Sequence, residues 1–353
     1  MHCQRPNKSG FPSGSLLLTG LLVLCVWGIL NNPAYVNAAP LYEKTIMAGD
    51  PDFTPTDSPG NRVDPNVTTS LFGGVGSILV GPWDSNYYLG SGTAISPTQV
   101  LTAAHLLDLD DNGSIDVAPG NVQFHLNYNG DNSSVITASS LSIYPDFTGF
   151  SNPYLNDDIA IITLSSALPD GVPIYDILRN PLQEGEMLTM VGYGRSGNGV
   201  DGYTTGASLD IKRVGSNTAD IFLEDDEGSG VNEVFVFDFD FPDTSYPGYE
   251  SNLDLGGTSL GNDLETQLGG GDSGGPSFVF VDGELMIAGI NTFVGSLLGG
   301  PAYPYFGSIG GGTLVPAYAD WIDSIIAPVP IPGAVWLLGS GLIGLVGLGR
   351  KRQ

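Results

Sequence analysis

From Leu71 to about Thr292, short apolar runs recur between clusters of Gly, Asn, Asp and Pro, and this punctuation constrains the fold more than any other feature of the chain. Runs so short, bounded by turn formers, read as strands and leave little room for helices. One series comprises Ser77 to Val80, Gly92 to Ile95, Val100 to Thr102, Val122 to Asn127, Val135 to Ile143 and Ile159 to Leu164. After Pro181 a second comprises Met187 to Tyr193, Ala207 to Val214, Ile221 to Glu224, Glu233 to Phe239, Ser277 to Val281 and Leu285 to Thr292. Two groups of about six predict an all-β chain of two six-stranded antiparallel barrels. One stretch departs from the pattern. From Pro316, the residues Tyr318, Trp321, Ile322 and Ile325 fall at helical spacing before Pro328, which predicts a short C-terminal helix.

Both ends read as targeting segments rather than parts of this fold. Arg5 and Lys8 precede an apolar run from Leu16 to Leu30, and small residues around Ala38 and Ala39 offer a signal-peptidase site, so residues 1–39 are expected to be a secretory signal. At the other end, Val329-Pro330-Ile331-Pro332 precedes an uncharged stretch from Gly333 to Gly349 and then Arg350-Lys351-Arg352. As a helix that stretch spans about 25 Å, short for a hydrocarbon core of roughly 30 Å. This tail, residues 327–353, resembles the PEP-CTERM sorting signals of Gram-negative bacteria, departing from them at Ile331, where Glu is usual. The resemblance implies an exosortase partner, membrane attachment before processing, and a place at the cell surface, outer envelope or matrix. A plain C-terminal anchor is the alternative.

With the ends set aside, Cys3 and Cys25 both fall in the signal, leaving no thiol for disulfides or Cys-based metal sites. Five of the 11 basic residues also go, so six remain against 38 acidic ones, a net charge near −32. Such a surface repels nucleic acid and anionic lipid and attracts cations. Residues 40–70, rich in Pro, Asp, Thr and Asn, carry no periodicity and read as a propeptide or flexible lead-in. The expected domain runs over 71–326, its barrels about 71–180 and 181–326.

Three motifs supply what acyl transfer needs: a nucleophile, a base, a group that holds the base, and donors for an oxyanion. Gly271-Asp272-Ser273-Gly274-Gly275-Pro276 puts Ser273 on a glycine-flanked turn, with the amides of Gly271 and Ser273 as oxyanion donors. Leu101-Thr102-Ala103-Ala104-His105 ends a strand with a histidine, the side chain that titrates near neutrality. His125, in an alternating strand, reads as structural. Asn156-Asp157-Asp158-Ile159 places a carboxylate before a buried strand; Asp157 competes with Asp158, and alternation lets only one face the histidine.

In that chain order these motifs resemble the trypsin or chymotrypsin family of serine proteases. The resemblance implies a serine endopeptidase with His105 as base, Asp158 as its orienter and Ser273 as nucleophile, needing no cofactor for catalysis and acting on protein or peptide substrates. An esterase with the same triad and a catalytically silent surface-anchored binding protein are the alternatives. Gln267 stands where a trypsin-like enzyme has an acid, and Thr292-Phe293-Val294 occupies the strand beside the specificity pocket, so an uncharged side chain is expected at the cleavage site. The family pairs the carboxylate at Asp272 with a new N-terminus; Arg62-Val63, Leu71 and Val75 are the candidates for it. Separately, Asp108, Asp110, Asn112, Ser114 and Asp116 match the first nine positions of an EF-hand loop, with Gly113 sixth and Pro119 in place of the closing Glu, a candidate calcium site. Glu224-Asp225-Asp226-Glu227 reads as a solvated acidic loop.

Overall fold

A computed structural model describes residues 46–150, 156–297 and 303–326. The expected signal, the start of the lead-in and the C-terminal tail lie outside the described residues. No helix among the described residues is long and apolar enough to cross a membrane.

The segment expected to lack elements contains two strands, β1 (Ile46–Ala48) and β2 (Val63–Asp64). All three residues of β1 are buried, so it carries no alternation for a sequence reading to find. Next come β3 (Val75–Trp83), β4 (Asn86–Ala94), β5 (Gln99–Thr102), β6 (Val122–Leu126), β7 (Ser134–Ile143) and β8 (Ala160–Leu164). They close into a six-stranded barrel in the order β3-β4-β5-β8-β7-β6, matching the first expected series. Inward positions such as Ile78, Val100, Phe124 and Ile162 form its core, each worth about 1.5–3 kcal/mol of burial.

The remaining strands are β9 (Asp176–Ile177), β10 (Met187–Gly192), β11 (Ser196–Asn198), β12 (Gly202–Thr205), β13 (Lys212–Thr218), β14 (Ile221–Glu224), β15 (Asn232–Asp238), β16 (Pro276–Val281), β17 (Glu284–Ser296) and β18 (Ser308–Leu314). The second expected barrel is realised as a nine-stranded sheet in the order β14-β15-β18-β17-β16-β10-β13-β2, with β9 on β17. Strand β18 escaped the sequence reading because Gly310-Gly311-Gly312 replaces its apolar alternation. A side chain at Gly310 would lie 2.2 Å from Gln267 Oε1 and 2.5 Å from the Phe237 ring, so the close approach of these groups requires glycine. Strand β1 pairs in parallel with β11, which pairs with β12. The helix α1 (Ala319–Ile326), in the expected place, has Asp320 in its first turn, where a carboxylate complements the helix dipole.

Polar contacts join the barrel to the segments that follow β10 and precede β13. Tyr193 OH donates to Val75 O at 3.1 Å, Ser77 Oγ donates to Leu209 O at 2.9 Å, and Tyr193 N–H donates to Ser91 Oγ at 3.0 Å.

Candidate active site

Strands β5 and β8 lie side by side with Thr102 opposite Ala160. His105 follows Thr102 by three residues, on a short 3-10 turn over Ala104–Leu106, and Asp158 precedes Ala160 by two. Both side chains therefore emerge at one end of the barrel. The Asp158 carboxylate takes the His105 backbone N–H at 2.8 Å on one oxygen and meets ring Nδ1 at 2.7 Å on the other. With Asp158 buried, a proton on Nδ1 is favoured, which leaves Nε2 with its lone pair. The Phe150 ring packs on the imidazole at 4.8 Å between centroids.

Asp157 does not share this role. Its backbone sits at φ +62°, and its carboxylate accepts from Tyr318 OH at 3.1 Å while its N–H donates to the same oxygen at 3.0 Å. Burial pushes Asp157 up to about 7, partly offset by the Tyr318 bond. His125 is tied to Asn132 at 2.9 Å through Nδ1 and to Gln123 at 3.3 Å through Nε2, with its pKa lowered by burial, a structural setting.

The turn that carries Ser273 docks on the same barrel end. Ser273 O accepts from Ser91 N–H at 2.8 Å, and Gly271 O accepts from Ser91 Oγ at 3.0 Å. Gly271 and Gly274 sit at φ +105° and +81°, which L side chains rarely adopt. At Gly274 a Cβ would lie 2.1 Å from Thr102 Oγ1 and 2.4 Å from Ser91 O, so glycine lets the serine turn press against the strand that delivers His105. The amides of this turn divide into two sets. Those of Asp272, Gly274 and Gly275 are bonded to Gly269 O, Asn291 O and Asp272 O, whereas those of Gly271 and Ser273 have no acceptor among the described residues.

Behind the turn, Gln267 is buried. Its Nε2 donates to Ser308 Oγ at 3.0 Å and its Oε1 accepts from Leu268 N–H at 2.8 Å. Val294 pairs with Gly310, which the Gln267 side chain touches, so these three residues share one site. Phe293 packs with Phe150 in the cluster beside His105, and Thr292 Oγ1 turns back to Ile290 O at 3.2 Å.

Asp272 is fully buried. It accepts from Gly194 N–H at 3.0 Å, Gly269 N–H at 2.7 Å and the N–H of Ile46, while burial pushes it up to about 8. Ile46 itself has φ +50°, a strained value for a β-branched residue. The termini considered from sequence fit this arrangement poorly. Arg62 is buried against Asp57, its Nε donating at 2.8 Å, Val63 lies in β2 and Val75 in β3. A cut at any of these, or before Leu71, would sever Ile46 from the domain it is built into.

In the acidic loop, oxygens of Asp108, Asp110 and Asp116 lie within 4.8 Å of one another. The Asp108 carboxylate accepts from the N–H groups of Asn112 and Gly113 at 3.0 and 2.8 Å, and Asp116 from those of Leu109 and Asp110 at 2.6 and 2.9 Å. Ser114 is exposed. Burial, then repulsion from Asp116 and Asp111, raises Asp108 against the pull of its two backbone bonds.

A closed β-barrel joined to a second sheet, with a histidine–carboxylate pair and a glycine-flanked serine turn at the barrel end, defines a trypsin-like fold. A family model described as a trypsin-like peptidase domain matches residues 90–287, more than half of the chain, and the chain belongs to that family. The matched stretch includes His105, Asp158 and Ser273. The family is one of serine proteases. No curated protein matches the chain.

Proposed function

We propose that the chain is an exported serine endopeptidase in which Ser273 is the nucleophile, His105 the general base and Asp158 the group that orients it. The observation that carries this reading is the pair of N–H donors at Gly271 and Ser273, without acceptors among the described residues, on the turn docked beside a carboxylate-held histidine. In this reading His105 Nε2 takes the proton of Ser273 Oγ as the serine attacks the scissile carbonyl. The two amides receive the oxyanion, each such donor typically being worth about 2.7–4 kcal/mol in the transition state. His105 then returns the proton to the leaving amine, and water cleaves the acyl-enzyme by the reverse sequence.

The uncharged, internally bonded Gln267 and the Val294 side chain beside Gly310 support preference for an uncharged, small residue at the cleavage site. Activation fits cleavage before Ile46. The new ammonium group would meet the buried Asp272 carboxylate, and the strain at Ile46 would be relieved. A calcium ion held by Asp108, Asp110 and Asp116 belongs to the same reading, since a common ion at about 2.4 Å places ligand oxygens up to about 4.8 Å apart. Export rests on the N-terminal segment and signal peptidase, and surface sorting on the tail with its exosortase.

Digestion of a mixed peptide library by enzyme beginning at Ile46, beside its Ser273→Ala variant, tests the reading. Serine-dependent cleavage after uncharged residues supports it. Cleavage mainly after Arg or Lys overturns the specificity, hydrolysis of esters alone favours the esterase, and inertness toward both favours a binding protein.

A further inference from the structure

The proposed oxyanion donor at Gly271 ends a run of glycines, Gly269-Gly270-Gly271. Successive glycines leave the backbone unusually free, whereas an oxyanion donor must point the right way before charge develops. The run therefore needs a restraint from outside itself. At Gly271 the surroundings impose glycine, since φ is +105° and a Cβ would lie 2.6 Å from Gly194 Cα. At Gly270 they do not. Its φ lies outside the left-handed region, and a Cβ there would meet only Arg195 Cδ, at 3.7 Å, an ordinary contact.

The segment from β10 into β12 supplies the restraint. Arg195 N–H donates to Gly270 O at 2.8 Å. The Gly270–Gly271 peptide is trans, so its carbonyl and its N–H point in opposite directions. Holding Gly270 O against Arg195 therefore turns the Gly271 N–H away from that segment, to where no described residue accepts it. On its other side, Gly270 N–H donates to Tyr203 OH at 3.3 Å, the one side-chain bond to this glycine among the described residues. Tyr203 stands on β12 and packs against the cluster of Met47, Phe239 and Phe306. The Arg195 guanidinium carbon lies 5.2 Å from the centre of its ring. The phenol thus ties a glycine without a side chain to a buried aromatic platform.

We propose that Tyr203 is a positioning residue for the oxyanion site. Its hydroxyl and the Arg195 N–H hold Gly270 from both sides, which fixes the plane of the Gly270–Gly271 peptide and aims the Gly271 N–H at the reacting carbonyl oxygen. Tyr203 itself touches no reacting atom. The role rests on the peptidase reading above. Because the Gly271 bond strengthens as charge develops on that oxygen, its loss falls on kcat rather than on KM.

Tyr203→Phe keeps the ring, its packing and the Arg195 contact, and removes the hydroxyl. In enzyme beginning at Ile46, assayed below the melting temperature of every variant, kcat on a peptide substrate should fall about ten- to a hundredfold. That is less than the roughly 10^2–10^3 lost when an oxyanion donor is deleted outright. KM should stay within about twofold. A peptide aldehyde, whose hemiacetal oxygen would occupy the same site, should bind more weakly in parallel with kcat. Adding Gly270→Ala to Tyr203→Phe narrows the backbone's choices where there is room for a methyl, and should recover about two- to fivefold. Tyr246→Phe, in the same aromatic cluster but bonded to Asp50 at 2.6 Å, should keep the wild-type kcat whatever it does to melting. A Tyr203→Phe enzyme with wild-type kcat and aldehyde affinity would overturn the role. So would a loss that Tyr246→Phe reproduces, or one that Gly270→Ala leaves unrelieved. Absence of Ser273-dependent hydrolysis in the wild type would instead overturn the peptidase reading, and the role with it.

Discussion

Replacing Asp158 by Asn keeps the shape of the side chain and removes what the histidine requires of it. The carboxylate satisfies two donors, the His105 N–H at 2.8 Å and ring Nδ1 at 2.7 Å, and both side chains are nearly sealed from solvent. An asparagine whose oxygen stays on the backbone N–H turns its NH2 toward Nδ1. That drives the ring proton to Nε2, the nitrogen that must be free to accept from Ser273. As the proton arrives, wild type also gains an imidazolium–carboxylate attraction. With charge centres about 4 Å apart and an effective dielectric of about 20, this is about 4 kcal/mol, or roughly 10^3 in rate. The wrong tautomer adds to the loss, and roughly 10^4 is the figure known for this substitution in the family's best-studied triad. The assay is kcat/KM on a peptide substrate with the melting temperature measured in parallel. Asp157→Asn, at a side chain bonded to Tyr318 rather than to His105, should stay within about tenfold of wild type, since no bond to His105 is lost. An Asp158→Asn enzyme within tenfold of wild type, or an Asp157→Asn enzyme that loses three decades while still folded, would refute the assignment.

Buried Asp272 holds its proton to about pH 8 in the uncleaved chain, against about 4 when unfolded, so the native state binds more protons between those limits and stability falls as pH rises from about 4 to about 8. In protein beginning at Ile46 the ammonium partner should flatten this slope; equal slopes in thermal melts of the two forms would contradict insertion of the terminus. Gly274→Ala places a methyl 2.1 Å from Thr102 Oγ1 at a positive φ, where the conformation alone costs roughly 1–2 kcal/mol. A drop in kcat/KM beyond about tenfold is expected, and an unchanged value would mean that the serine turn is not pressed on β5 as described. Chelation should lower the melting temperature, and Asp110→Asn should reduce that sensitivity; melting indifferent to chelator would remove calcium from the Asp108 loop.

The first barrel was legible because its strands alternate and their turns are marked by Gly, Asn and Asp. The candidate triad was legible because each member sits in a motif of several residues, and the competition between Asp157 and Asp158 needed only the side each faces. Elsewhere the information lies between distant segments. Strand β1 is read only once β11 and Asp272 are beside it. Strand β13 begins later than the run Ala207 to Val214 suggested, because Lys212 and Arg213 are buried within it. Lys212 reaches Asp64 at 2.9 Å and Phe72 O at 2.7 Å, and Arg213 Nε reaches Pro59 O at 2.8 Å, partners more than a hundred residues away. Strand β18 is hidden by its glycines, of which Gly310 lies against Gln267 and Phe237, Gly311 against Phe293 and Gly312 against the Ile290 backbone. The loop at Asp226 and Glu227 is exposed, as expected, but its approach to Asn156 and Asp157 joins distant segments and nothing local announces it.

The most direct test of the central claim is mass spectrometry of the protein, begun at Ile46, after exposure to a fluorophosphonate. A single adduct on Ser273, absent in Ser273→Ala and slowed by about three or more decades in Asp158→Asn, is the predicted result. A folded protein that takes no adduct at Ser273, or that takes it as fast without the Asp158 carboxylate, would contradict the assignment of nucleophile, base and orienting group.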